Sequence, residues 1–252
     1  MKLLIIFTLV SSGYFATGQI RVKEREKHLD GLEQPLPSKK PHLFLNAVKT
    51  PILLIGLGTY SCLSDDVIDR FEVRDERNEH MPHFQTKVDN YLMHAPIALV
   101  YGLNIAGIKG KNDFTNRTLL LVKSEAIMAA LTFSFKSLTK VPRPDDSDIQ
   151  SFPSGHTAQA FATATFMAKE YKDQSVWYAV GAYGIATTVG AMRIMNNRHW
   201  VSDVLAGAGI GILSTNLAYL THRYKCKNKP SQLTVVPSYA AGPGFYLSYT
   251  FN

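Results

Sequence analysis

The stretch RIMNNRHWVSD, residues 193–203, holds a cation, an imidazole and a carboxylate at Arg193, His199 and Asp203. Side chains four residues apart share a helix face, so a helix starting near His199 sets Asp203 against the imidazole, with Arg193 apart in a turn. A carboxylate on an imidazole fixes its tautomer and leaves the other ring nitrogen free as base or nucleophile. An arginine nearby suits an anionic reaction centre. Taken alone, the stretch fits a helix start with a surface ion pair equally well.

Two further groups lie upstream. KSLTKVPRP brings Lys136 and Arg143 to the end of an apolar segment, where Pro142 and Pro144 stop the helix. Alone, these are ordinary cations flanking a helix end. In SFPSGHTA, Ser154 is a natural N-cap for the helix that follows. The free amides of Gly155 and His156 then point outward, a ready site for a phosphate, and Gly155 permits close backbone approach. Alone, this is a plain helix cap with a surface histidine.

These groups must be positioned by helices. Six apolar segments, roughly 43–63, 91–108, 118–135, 155–169, 177–192 and 201–220, are rich in Ala, Leu, Met and Gly and lack the alternation of strands. The stretches AFATATF, GAYGIATTVGA and AGAGIGI let helix backbones approach closely, and Gly207 and Gly211 fit a small-xxx-small pattern. Lys49, Lys123 and Glu125 interrupt two segments, which are short for a bilayer wanting about 20 apolar residues. The expected fold is all-α, a bundle of about six core helices embedded in a membrane. Between the first two segments, SDDVIDRFEVRDERNEH reads as a surface helix plus loop.

The ends differ. Residues 1–18 read as a signal peptide: Lys2, an apolar run over 3–10, then small residues before Gln19. Residues 19–42 form a polar lead-in, and 43–224 the helical domain. Residues 225–252 combine a basic segment with QLTVVPSY and FYLSYTF around AAGPG, a short β-hairpin of no evident role.

The chain has 252 residues and a net charge of +7, which favours anionic partners. Its charges are scattered, with no zinc spacing, ribonucleoprotein motif or basic helix, so nucleic acid is not an expected partner. Cys62 and Cys226 give no disulfide framework.

Together, Lys136-x6-Arg143-Pro144, Pro153-Ser154-Gly155-His156 and Arg193-x5-His199-x3-Asp203 resemble the three signature motifs of the phosphatidic acid phosphatase type 2 and haloperoxidase superfamily, in the family's order. Motifs and intervening helices cover residues 117 to about 220, and the preceding apolar segments fit the membrane-bound branch. Met192 stands where the family often has serine before the third-motif arginine. The resemblance implies that His199 is the nucleophile and forms a phosphohistidine, that Asp203 orients it, and that His156 protonates the leaving alkoxide. It implies that Lys136, Arg143, Arg193, Ser154 and the Gly155 amide hold the phosphoryl oxygens. These three cations need no metal or other cofactor beside them, and Asp145, Asp146 and Asp148 read as a solvated loop.

Leader, apolar helices and basic charge point to a phosphorylated lipid of the bacterial envelope. The chain looks most like the lipid A phosphatases, especially those acting at the 4′-position. Such dephosphorylation would weaken attraction of cationic antimicrobial peptides. Undecaprenyl pyrophosphate and phosphatidylglycerol phosphate are alternative substrates. A soluble periplasmic acid phosphatase and a non-catalytic envelope binding protein are the other classes that fit, and haloperoxidases are generally longer. If all six segments span after leader cleavage, the motifs fall inside; the first segment, with Lys49 and Pro51, is therefore read as re-entrant or surface-lying. Positive charge near 109–117, 169–172 and 223–229 then puts the catalytic loops on the periplasmic side of the inner membrane.

Overall fold

The sequence places small residues where helices must meet, and α8 (Val201–Leu220) shows the result in a computed structural model that describes residues 41–64, 69–224, 233–238 and 244–249. Within residues 39–224, α8 runs between α1 (Pro41–Leu63), α5 (Phe114–Thr139) and α6 (Gly155–Tyr171), while α7 (Val176–Met195) packs mainly on α6. A Cβ on Gly207 would come 2.6 Å from the Ser154 carbonyl oxygen, and one on Gly209 2.7 Å from that of Pro51. One face of α8 is therefore pressed against α6 and another against α1, closer than any side chain would allow.

Pro51 lies inside α1, where it cannot donate to the carbonyl one turn earlier. That carbonyl, on Ala47, instead accepts from Asn216 Nδ2 of α8 at 2.6 Å. The helix stays continuous through the proline because its neighbour supplies the missing donor. The main apolar core gathers Val100, Leu120, Phe166, Met167, Tyr171 and Val189, each buried. At one end of α6, buried Glu170 accepts from Asn112 and from the Tyr219 hydroxyl at 2.5 Å, with Arg117 Nε at 3.5 Å. These partners compensate a charge that would be costly to leave alone in the interior.

The charged stretch after α1 forms α2 (Arg70–His80), capped by the Asp69 carboxylate on the amides of Phe71 and Glu72. A short α3 (Asp89–Leu92) and α4 (Ala95–Ile105) follow. The described helices thus include one for each of the six apolar segments. Among the described residues, α5 and α8 are the two helices long and apolar enough to cross a membrane. In the other unit, β1 (Leu233–Ser238) pairs antiparallel with β2 (Gly244–Tyr249), Val235 opposite Leu247. The predicted signal peptide and most of the polar lead-in lie outside the described residues.

Candidate active site

Ser154 caps α6 as its sequence predicts. Its hydroxyl oxygen accepts from the Thr157 amide at 3.4 Å and the Thr157 hydroxyl at 2.9 Å, and the residue is fully buried. Its own amide donates to the Asp203 carbonyl at 3.0 Å, so the second and third motifs meet through backbone. At Gly155, an added Cβ would meet only Thr132 Cγ2, at 3.8 Å. The folded chain itself has room for a methyl there.

The opening stretch folds differently from expectation in two respects. His199 and Asp203 do not share a helical face, because α8 begins at Val201 with Trp200 as its N-cap. The contact forms all the same: Asp203 sits in the first turn and its carboxylate folds back across the helix start. Asp203 Oδ2 accepts from the Trp200 amide at 3.0 Å and lies 3.2 Å from His199 Nδ1. Arg193, expected in a turn, belongs to the last turn of α7. The chain reverses after it, at Asn196 and Asn197, where Asn197 takes a φ of 58°. That left-handed conformation is one that asparagine tolerates better than most residues.

Ser151 was not singled out by sequence, although it lies just before the second motif. Its hydroxyl donates to Asp203 Oδ2 and stands 3.4 Å from His199 Nδ1. Lys136 Nζ donates to the carbonyls of Ser151, at 3.3 Å, and of Gln150. The Trp200 indole Nε1 donates to the Pro142 carbonyl at 2.8 Å. The first motif is thereby tied to the third on both sides of the 140–151 loop.

Arg143, His156 and Arg193 line one cleft of about 630 Å³, together with Asp89 and Asn90. Lys136, Ser154, Gly155, His199 and Asp203 are not among its lining residues; His199 is 3% and Asp203 0% exposed. Arg193 Nη1 pairs with Asp89 Oδ2 at 2.7 Å, and Arg143 Nη2 stands 3.5 Å from Asp148 Oδ2. The Nε groups of both arginines are buried with no hydrogen-bond partner. Two cation donors on one cleft without an acceptor are suited to an oxyanion. Asp89 and Asn90 carry no motif signal, since they reach Arg193 and His156 from 104 and 66 residues away.

Burial, then the Arg193 cation, pulls His156 down to about 4. Burial also lowers His199, partly countered by its hydrogen bond to Asp203. Both imidazoles are therefore neutral at neutral pH. A neutral His199 that donates from Nδ1 to Asp203 keeps its lone pair on Nε2, the form a nucleophile needs. Asp145, in the acidic stretch of the 140–151 loop, pairs with Arg198 at 3.1 Å. Among the described residues no group of three or more His, Cys, Asp or Glu side chains is arranged to hold a metal.

Residues 117–227 match the PAP2 superfamily model. Over 151 residues, 58% of this chain, the sequence is 39% identical to the lipid A 1-phosphatase of Porphyromonas gingivalis, and the match covers 33% of that protein. The chain thus spans about a third of that relative's length. Among solved structures, it is similar to the transmembrane PAP2-type phosphatidylglycerolphosphate phosphatase of Bacillus subtilis, with TM-score 0.50 and 22% identity over 70% of this chain and 99% of that one. It is also similar to LpxE of Aquifex aeolicus, with TM-score 0.44 and 21% identity over 58% of this chain and 93% of that one. The chain carries a PAP2 superfamily domain.

Proposed function

We propose that this PAP2 domain is a metal-independent phosphatase that removes a phosphomonoester from an envelope lipid through a phosphohistidine on His199. The observation that carries the reading is the buried His199–Asp203–Ser151 cluster joined by backbone to the start of α6. His199 Nε2 attacks phosphorus as the bond to the lipid oxygen breaks, and that oxygen takes a proton from His156. Water then attacks the phosphohistidine, giving its proton to His156 and releasing phosphate with the His199 lone pair restored. Asp203 stabilises the imidazolium character that develops at His199. Lys136, Arg143 and Arg193, with the Ser154 hydroxyl and the Gly155 amide, stabilise the phosphoryl oxygens. His156 is neutral in the free protein, but a bound phosphate dianion offsets the field of Arg193 and favours its protonation.

The substrate reading is a phosphate of lipid A. Sequence resemblance points to the 4′-position, whereas the name of the Porphyromonas gingivalis relative points to the 1-position. Dephosphorylation of bis-phosphorylated lipid A, with the remaining phosphate located by mass spectrometry, decides between them. The membrane setting is supported by the apolar length of α5 and α8 and by exposed Phe44, Leu45, Ile52 and Leu53 along α1. We take the inner membrane with a periplasm-facing cleft as the location, on the leader and the loop charges.

Phosphate release by purified protein from lipid A, phosphatidate, phosphatidylglycerol phosphate, a prenyl pyrophosphate and a soluble aryl phosphate tests the proposal, with His199→Ala as the blank. Release from lipid A by the parent alone is the expected result. Equal release from both proteins sinks the mechanism, and preference for the aryl phosphate sinks the lipid assignment.

A further inference from the structure

We infer that Asn90 is a positioning residue for His156, holding its Nε2 so that Nδ1 is the nitrogen presented to the leaving group. The inference rests on the phosphatase reading and adds a residue from α3, outside the segment matched to the family.

Asn90 Oδ1 stands 2.8 Å from His156 Nε2. An amide oxygen only accepts, so Nε2 carries the hydrogen and the lone pair of neutral His156 is on Nδ1. A proton taken up by that ring therefore enters at Nδ1 and leaves from there. The amide is neutral, so it orients the ring without holding it in the charged form as a carboxylate would.

Asn90 is itself held. The preceding residue, Asp89, is 0% exposed and binds Arg193 at 2.7 Å. Asn196 fastens the approach to α3 by exchanging two bonds with Thr86, 2.8 Å from the Thr86 amide and 3.0 Å to its carbonyl. Arg77 adds donors to the Met195 carbonyl at 2.8 Å and the Phe84 carbonyl at 3.1 Å. Residues 77–90 thus dock on the turn between α7 and α8, and the ring nitrogen of the acid is aimed by a segment fixed to the turn before the nucleophile. Asn90 is exposed, so its bond to His156 contributes little to stability. A purely architectural role explains that placement poorly.

The groups facing His156 are Arg193 from α7, Asp89 from α3, His199 from the turn before α8 and Arg143 from the loop after α5. Replacing the amide oxygen by a carboxylate one changes the charge at its nearest partner and leaves these in place.

The test uses the full chain in detergent micelles. In Asn90→Ala, kcat is expected to fall about tenfold or more with KM within about threefold, because the proton donor is misaimed and not removed. In Asn90→Asp, the new carboxylate favours protonated His156, so the alkaline limb of the kcat profile moves up by about one pH unit or more. Nitrogen NMR of histidine-labelled protein reads the tautomer without substrate: Nε2–H at His156 in the parent, and a mixture in Asn90→Ala. An Nδ1–H tautomer in the parent overturns the inference, as does an unmoved limb in a folded Asn90→Asp protein. If the parent hydrolyses no lipid phosphate, the phosphatase reading fails instead, and the tautomer measurement alone judges the role of Asn90.

Discussion

Replacing Asp203 by asparagine probes the charge of the carboxylate separately from its shape. A single oxygen, Oδ2, receives the Trp200 amide, the Ser151 hydroxyl and His199 Nδ1, while Oδ1 is buried without a partner. In Asp203→Asn the amide oxygen is drawn to the Trp200 amide, which has no other acceptor at the helix start, and the NH2 takes the unpartnered side. The His199 tautomer is then preserved and the cap on α8 survives. What is lost is a charge-assisted hydrogen bond to an imidazole that becomes cationic as phosphorus is attacked. Such a bond contributes about 1.5–3 kcal/mol, and at about 1.4 kcal/mol per tenfold the expected fall in kcat is roughly 10- to 150-fold. KM and the thermal midpoint should hardly move. The assay is steady-state phosphate release in mixed micelles, with acid-quenched phosphohistidine followed in parallel. A loss under about threefold refutes the build-up of positive charge at His199. A loss near 10⁴-fold, of the size a reversed tautomer produces, refutes the assignment of all three donors to one oxygen.

Two other substitutions separate folding from chemistry. Gly155→Ala places a methyl no closer than 3.8 Å to any atom beyond its chain neighbours and its own helix backbone, so stability should hold or rise slightly, while phosphate release drops about tenfold or more because the methyl intrudes on the oxyanion. Full activity in a correctly folded Gly155→Ala protein removes the backbone amide from the phosphate site. Gly207→Ala has the opposite signature, since its Cβ would lie 2.6 Å from the Ser154 carbonyl oxygen and 3.2 Å from Thr157 Cβ. Overpacking of this kind costs about 1–3 kcal/mol, read as a lower unfolding midpoint in detergent, and an unchanged midpoint contradicts the close approach of α8 to α6.

The fold and site were legible where the information is local. Ser154 before a helix and prolines at 142 and 144 state their roles within a few residues, and the apolar segments become helices. The His199–Asp203 contact was also foreseen, but for a different reason: the aspartate returns to the helix start and meets an imidazole that lies outside the helix. Arg193 was misplaced because α7 runs on through Met195 and the chain turns only at Asn196. Asp89, Asn90 and Ser151 escaped notice because each contact closes a long loop, 104, 66 and 52 residues apart respectively. Glycine density in α8 announced a close approach without naming the partner, which is α6 for Gly207 and α1 for Gly209. Lys136 was expected among the oxyanion ligands, and two of its hydrogen bonds go to the carbonyls of Gln150 and Ser151.

The wall made by residues 77–90 joins the turn after α7 through a few side-chain bonds, whereas Lys136, His156, His199 and Asp203 stand on or beside α5, α6 and α8. That arrangement makes the protein modular in the engineer's sense. Exchanging residues 77–88, while Asp89, Asn90 and Asn196 are kept, offers a way to reshape that wall of the cleft and leave the bonds to Arg193 and His156 in place.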